Sequence, residues 1–382
     1  MTHMLPEEQV KPEGTMLRSL VLVQVGKQTL TFEDLIAELK FQGWWEDEIR
    51  HLRHVHETFA AFNDGGLDID PHALQYEADS FRYRESLITA EETTAWLQER
   101  FLEFEDLNMI LAGACAEAPE EDRRPPNPFR ASNKTKGRYE LSEDEAIRLF
   151  WADCHIRNRW GEFWTGVLFR HVVWEGQLTG SQPSRSQVED EKDRFAAKLP
   201  RQIPLERWLV LNPEVKARLI GLCKREVAYR EYSESILTDE NYEKRLAARR
   251  PDLVHVQFEL TYCQTEDIAR EAYLCVKVDK ESLKAVCERA SIEYKTGEAY
   301  IEDMEADLAP YLLSAEAGEI VEPVPAGDEC GYWLALIRDK LEPSLDDPEI
   351  AERIRVCVIQ HVFQPYLQTH VSWPLWQLLK TS

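Results

Sequence analysis

Leu253-Val254-His255-Val256-Gln257-Phe258-Glu259-Leu260 is the stretch on which the fold turns. Apolar and polar residues alternate and β-formers dominate, the pattern of a half-buried strand. Helical periodicity follows at about Thr265–Val278 and Lys280–Ser291, then a short strand at Ala299–Glu302 and a helix at about Glu305–Ala315. Glu319–Val324 and Gly331–Arg338 read as two strands joined by Pro325-Ala326-Gly327-Asp328. The order β-α-α-β-α-β-β makes a compact α+β unit, placed at residues 250–342.

Upstream of it the pattern is helical, apart from one short strand signal. The apolar run Leu20 to Val25 stops at Gly26-Lys27 and resumes at Thr29-Leu30, a strand or hairpin. Thr31 offers an N-cap to Phe32-Glu33-Asp34, and Leu35, Ile36 and Leu39 recur at helical spacing. From Trp44 to Phe62, Ile49, Leu52, Val55 and Phe59 form one stripe, stopped by Asn63-Asp64-Gly65-Gly66. Further helices are expected at about Pro71–Glu85 and Glu103–Ala116, and the capping box Thr89-Ala90-Glu91-Glu92 opens one between them. Residues 17–116 therefore read as a strand followed by a helical bundle. Residues 117–139, with Pro119, Pro125, Pro126 and Pro128 and few apolar side chains, read as a flexible linker whose charges are solvated.

A second capping box, Ser142-Glu143-Asp144-Glu145, opens a second helical unit at 140–249. Its design echoes the first. Tyr76-Glu77-Ala78-Asp79-Ser80-Phe81 is matched by Asp190-Glu191-Lys192-Asp193-Arg194-Phe195, and Trp96-Leu97 by Trp208-Leu209. After the α+β unit, Pro348 to Tyr366 reads as a long helix and Val371-Ser372-Trp373 as a closing strand. Within this 343–382 segment the stripe Ile354, Val358, Val362 is expected to pack back onto the first bundle.

Composition narrows the function. In 382 residues, 45 Lys and Arg face 70 Asp and Glu, a formal charge of −25. Nucleic acid and anionic lipid surfaces call for a basic excess, so neither is an expected partner. No apolar run is long enough to span a membrane, and the N-terminal residues show no secretory h-region, so a cytoplasmic location is expected. The eight cysteines are scattered without a CxxC pair, as expected of reduced thiols.

The α+β unit resembles the parvulin-type peptidyl-prolyl isomerases. These open with a strand carrying a histidine in an A-x-H-I-L-V-like setting, matched by Asp252-Leu253-Val254-His255-Val256-Gln257-Phe258. They close with K-x-G-E-I-S-x-P-V and G-Y-H-I-I. Their counterparts are Glu316-Ala317-Gly318-Glu319-Ile320-Val321-Glu322-Pro323-Val324 and Gly331-Tyr332-Trp333-Leu334-Ala335. The segment Val21 to Thr31 is similar to the strand that begins SurA-like foldases, in which a helical bundle follows, the isomerase domain comes late and the last helix returns to the bundle. The resemblance thus implies an α+β, mostly helical SurA-like chaperone bundle with a C-terminal parvulin-like domain.

It also implies a site. His255 takes the place of the first catalytic histidine, but Trp333 stands at the second, so the hydrogen-bonded pair is lost. The family's G-G-D-L-G strand is reduced to Gly297-Glu298-Ala299-Tyr300-Ile301, and the phenylalanine of its proline pocket maps to Leu308 or Leu313. Met304, Leu308, Leu313, Tyr332 and Trp333 are expected to line a peptide groove, with Trp333 facing the pocket beside His255. Tyr332, its neighbour in a strand, should face the other way. No cofactor and no metal are implied.

Other constellations are weaker. His51, His54 and His56 on one helix give poor zinc geometry without a ligand from elsewhere. Cys154 and His155 are adjacent and point about 100° apart on a helix, a poor nucleophile and base. Trp151, Trp160, Phe163, Trp164, Phe169 and Trp174 form either helical core or an apolar wall for extended peptides. No phosphate-binding glycine loop, G-x-S-x-G or H-E-x-x-H motif occurs. Two readings remain: a chaperone or maturation accessory that binds an unfolded or precursor peptide, and an active isomerase using His255.

Overall fold

The computed structural model describes residues 14–67, 69–117, 141–176, 178–180, 182–199, 203–304, 306–327 and 331–374. They form two compact units: one up to Tyr232 and again from Pro365, the other Ser233–Gln364. Beyond Glu117, the linker expected at 117–139 lies outside the described residues. No described helix is long and apolar enough to cross a membrane.

The first unit begins with α1 (Gly14–Arg18) and the hairpin β1 (Val21–Val25) and β2 (Gln28–Thr31). Eight helices follow: α2 (Phe32–Gln42), α3 (Trp45–Asn63), α4 (Pro71–Arg84), α5 (Ala90–Glu99), α6 (Phe104–Glu117), α7 (Glu143–Ile156), α8 (Trp160–Glu175) and α9 (Arg185–Lys198). Short α10 (Leu205–Leu211) leads into α11 (Pro213–Ile236). Thr89 and Ser142 each close a capping box at the start of their helix, as the sequence indicates, and Thr31, expected as an N-cap, closes one with Asp34. The internal echo carries one contact twice: Phe81 meets Trp96 edge-on at 5.0 Å, and Phe195 meets Trp208 at 5.3 Å.

Helix α2 is buried almost all round. Leu35, Ile36 and Leu39 join the main apolar cluster with β1, α7 and α8, while Ala37 and Phe41 join a second cluster with Phe195, Trp208 and Val215. The two helical stretches expected as separate domains therefore share one helix and form one unit. Enclosure also traps Glu38 and Lys40, 2% and 4% exposed. Arg225 of α11 donates to Glu38 at 2.8 Å, and Nε2 of buried His171 donates to the same carboxylate at 3.2 Å. Lys40 reaches Glu214 at 2.7 Å and Glu143 at 2.6 Å, and Arg218 holds Asp34 at 2.6 Å. Burial alone would raise the Glu38 carboxyl, but the His171 hydrogen bond and the Arg225 charge outweigh it and hold it at about 2. Burial pushes the His171 imidazole down.

In the second unit, α12 (Asp239–Arg249) precedes β3 (His255–Cys263), α13 (Glu266–Lys277), α14 (Leu283–Ala290), β4 (Lys295–Tyr300) and a 3₁₀ turn at Ile301–Asp303. Then come α15 (Ala309–Ser314), β5 (Val324–Pro325), β6 (Tyr332–Leu341) and α16 (Pro348–His370). The four strands form an antiparallel sheet in the order β4-β3-β6-β5. The unit is wider than the expected 250–342. The reason is α16: Ile350, Ile354 and Val358 pack with Leu246, Leu253 and Tyr300 rather than on the first bundle. Only the end of α16 belongs to the first unit, where Tyr366 and Leu367 pack on the main cluster. There β7 (Val371–Ser372) pairs with Val25 and Gln24 of β1, and Trp373 meets Trp164 edge-on at 5.9 Å.

Replacing Arg225 by alanine leaves the Glu38 carboxylate buried with one cation fewer, which should cost about 3–5 kcal/mol. Glu38 binds its proton near 4.5 when unfolded and near 2 when folded, so its contribution is complete above pH 4.5 and is lost as pH falls toward 2. His171, pushed down from 6.5, adds to the loss below that pH. Urea unfolding of the wild type from pH 7 to pH 3 should show a falling midpoint, and Arg225→Ala a lower one throughout. A pH-independent midpoint would contradict this assignment.

Candidate functional site

The sheet of the second unit has two faces. On one, Leu334, Leu336 and Ile320 pack against Tyr273, Leu283, Val286 and Cys287 of α13 and α14. On the other, Val256, Phe258, Ala335 and Ile337 form an apolar cluster with Leu308, Leu312, Val321 and Val324. Met304 and Trp333, both half-buried, pack against its margin. Strand register decides what stands beside Trp333. Its cross-strand partner in β3 is Tyr262, with ring centroids 5.1 Å apart and planes at 65°. Gly331 lets this pair close: a Cβ there would clash with the hydroxyl end of the Tyr262 ring.

That register separates the residues the sequence had joined. His255 pairs with Leu341 and Tyr300 at the opposite end of β3. Tyr262 lies seven positions along the strand from His255, about 23 Å. An odd offset also turns their side chains to opposite faces. His255 stands edge-on to the Tyr300 ring at 5.0 Å instead. The expected pocket of Trp333 beside His255 is therefore not formed. A landmark matched by residue type was displaced by most of a strand length, and Leu260 and Tyr262 occupy the positions on the Trp333 face. Period-two counting forward from Val256 and Phe258 leads to both.

The other expected groove residues divide. Leu308 is 2% exposed and belongs to the core, so it supports the face rather than lining a groove. Leu313 of α15 is exposed outside the cluster, its carbonyl accepting from Lys340 Nζ at 2.7 Å. Tyr332 lies on the helix-covered side, its hydroxyl 3.4 Å from Glu266, as strand alternation requires. Met304 and Trp333 remain at the margin of the apolar face.

In the first unit, Glu48, His51 and Asp153 come within reach of one another, the carboxylates that a zinc site at His51 would need. A guanidinium already fills that space. Arg159 donates to both Glu48 oxygens at 3.0 and 3.1 Å and pairs with Asp153, and Arg157 lies 3.8 Å from Asp153. Two cations balance two carboxylates, and His54 points to solvent. Burial pushes the Cys154 thiol well up, and His155 is packed among Trp96, Trp151 and Trp160. That pair is core, and so are Trp151, Trp160, Phe163, Trp164 and Phe169.

No family model matches the chain, and no curated protein matches it. Among solved structures it is similar to the peptidylprolyl isomerase PrsA of Bacillus cereus, at 15% identity over 61% of this chain and 87% of that one, with a TM-score of 0.34. It is similar to the foldase PrsA of Lactococcus lactis at 12% identity over 94% and 99% of the two chains, TM-score 0.27. A SurA-like chaperone of Campylobacter jejuni matches at 10% identity over 55% and 87%, TM-score 0.21. The reading below rests on this chain's own residues.

Gly331→Ala should force Tyr262 away from Trp333 and cost about 1–3 kcal/mol, the usual range for overpacking. His255→Ala should leave the Tyr262–Trp333 contact unchanged. Tryptophan and tyrosine side-chain NMR shifts of the two variants would check this, and a shift of the Trp333 indole in His255→Ala would show the two positions to be coupled.

Proposed function

We propose that the chain is a peptide-binding, chaperone-like protein whose α+β unit has weak or absent prolyl isomerase activity, acting on an unfolded or precursor peptide. One observation carries the reading: across from Trp333 stands Tyr262, and the face they border is apolar. Catalysed isomerisation lowers a barrier of about 18–20 kcal/mol by favouring a twisted amide over a planar one. An aromatic pair at the margin of an apolar face supplies area for an extended peptide, and with Trp333 at the second position the histidine pair of active parvulins cannot form around the twisted amide. The formal charge of −25 favours clients that carry Lys or Arg, an attraction that salt weakens. An accessory role in peptide maturation fits the same chemistry.

The runner-up, an active isomerase using His255, loses support because His255 stands away from the Trp333 face. A protease-coupled assay over a panel of Xaa-Pro peptides should show turnover near background. Turnover like that of active parvulins would overturn the proposal. Fluorescence anisotropy with labelled extended peptides should detect binding, and Trp333→Ala should weaken it about tenfold, the effect of losing one aromatic anchor.

A further inference from the structure

Strand β4 ends its sheet, and among the described residues no strand lies against its outer side. Its pairing with β3 is unbroken from His255–Tyr300 to Leu260–Lys295. Just beyond, the Ile301 N–H donates to the Val254 carbonyl at 3.0 Å. Inward and outward main-chain groups alternate along an antiparallel ladder. Lys295, Gly297 and Ala299 therefore turn their N–H and C=O groups toward β3, and Thr296 and Glu298 turn theirs outward. Neither a proline nor a bulge blunts this edge, the usual protections against strand addition. At its far end Tyr300 is buried, with the Arg353 guanidinium 4.1 Å from its ring, so the open length is Lys295–Ala299.

Side chains add selectivity. Gly297 pairs with Phe258 and Ala299 with Val256, so both lie on the apolar face that Trp333 borders. The Phe258 ring spreads over Gly297, where a Cβ would come within 3.0 Å of it. On the other face Thr296 and Glu298 are exposed, and the Glu298 carboxylate accepts from Gln257 at 3.3 Å.

We propose that an extended peptide joins this sheet as a fifth strand along the outer edge of β4, with an apolar or aromatic residue opposite Gly297 and Lys or Arg opposite Glu298. This rests on the peptide-binding reading above and adds a second contact to it, because β4 lies two strands from Trp333. The residue opposite Gly297 falls in a non-hydrogen-bonded pair, where strands approach most closely, and the missing side chain makes room for a large one against Phe258. Its neighbours in the peptide point to the other face, where a cation pairs across the strands with Glu298. Main-chain bonds to Thr296 and Glu298 give affinity without sequence demand, and the two side-chain positions give preference.

The test uses the full chain and a fluorescein-labelled heptapeptide of alternating Lys and Val with Phe at the centre. Amide exchange should be fast at Thr296 and Glu298 in the free protein and slowed about tenfold or more by the peptide, while Gly297 and Ala299 are protected in both states. Glu298→Pro removes one outward N–H at an edge position that tolerates proline, and should weaken binding about tenfold or more. Glu298→Lys should reverse the preference, favouring the same peptide with Glu in place of Lys. The exchange pattern of the wild type decides the matter even if Glu298→Pro fails to fold. If the peptide binds, Trp333→Ala weakens it and exchange at Thr296 and Glu298 is unaltered, strand addition is wrong while peptide binding stands. If no peptide of the panel binds, both are overturned.

Discussion

A helix enclosed almost all round keeps little of its charge in water, and α2 imposes that condition on the first unit. Its apolar residues serve two clusters at once, so its charged residues cannot be turned outward. Glu38, Lys40 and Asp34 must find partners within the fold, and Arg225, Glu214 and Arg218 of α11 supply them together with His171 of α8. A buried ion pair adds little net stability over an apolar pair of equal volume, but losing one partner is costly. The seam therefore selects one placement of α11 on α2, because a shifted register would strand a charge.

Much of this was legible in the sequence, and the failures share a cause. The N-cap at Thr31 and the capping boxes at Thr89 and Ser142 involve near neighbours in sequence and are local, so they read directly. So did the echo that repeats the Phe81–Trp96 contact at Phe195–Trp208, and the β-α-α-β-α-β-β order of the second unit. Periodicity finds a face but not what covers it. Nothing local marks Glu38 and Lys40 as buried, and Ile354 and Val358 read as a stripe awaiting the first bundle, because the covering residues are distant in sequence. His255 failed through register: its side chain was matched by type, while cross-strand pairing is set by the whole length of β3 against β6.

The second unit divides its labour between faces. Helices α13 and α14 cover one side of the sheet with apolar contacts. The other side is covered by α15 and the turns around it, leaving Trp333 and Met304 at the margin and small residues, Gly297 and Ala299, toward β4. Aromatic area at one margin and exposed main chain at another suit a surface that grips a chain by shape and backbone. Such a surface tolerates varied sequences, which fits the proposed binding of extended peptides.

The pairing of Val25 with Val371 sets a schedule for synthesis. Strand β1 emerges from the ribosome early and its neighbour β7 about 350 residues later, which at 5–20 residues per second is a wait of tens of seconds. Throughout that interval the nascent hairpin lacks its third strand, whereas the strands of the α+β unit all lie between His255 and Leu341 and are made close together. The interval leaves a hydrogen-bonding edge at Gln24 and Val25 that a neighbouring nascent chain on the same message could occupy. Ribosome spacing and translation speed, quantities outside the folded molecule, thus bear on how much of this protein closes its own sheet.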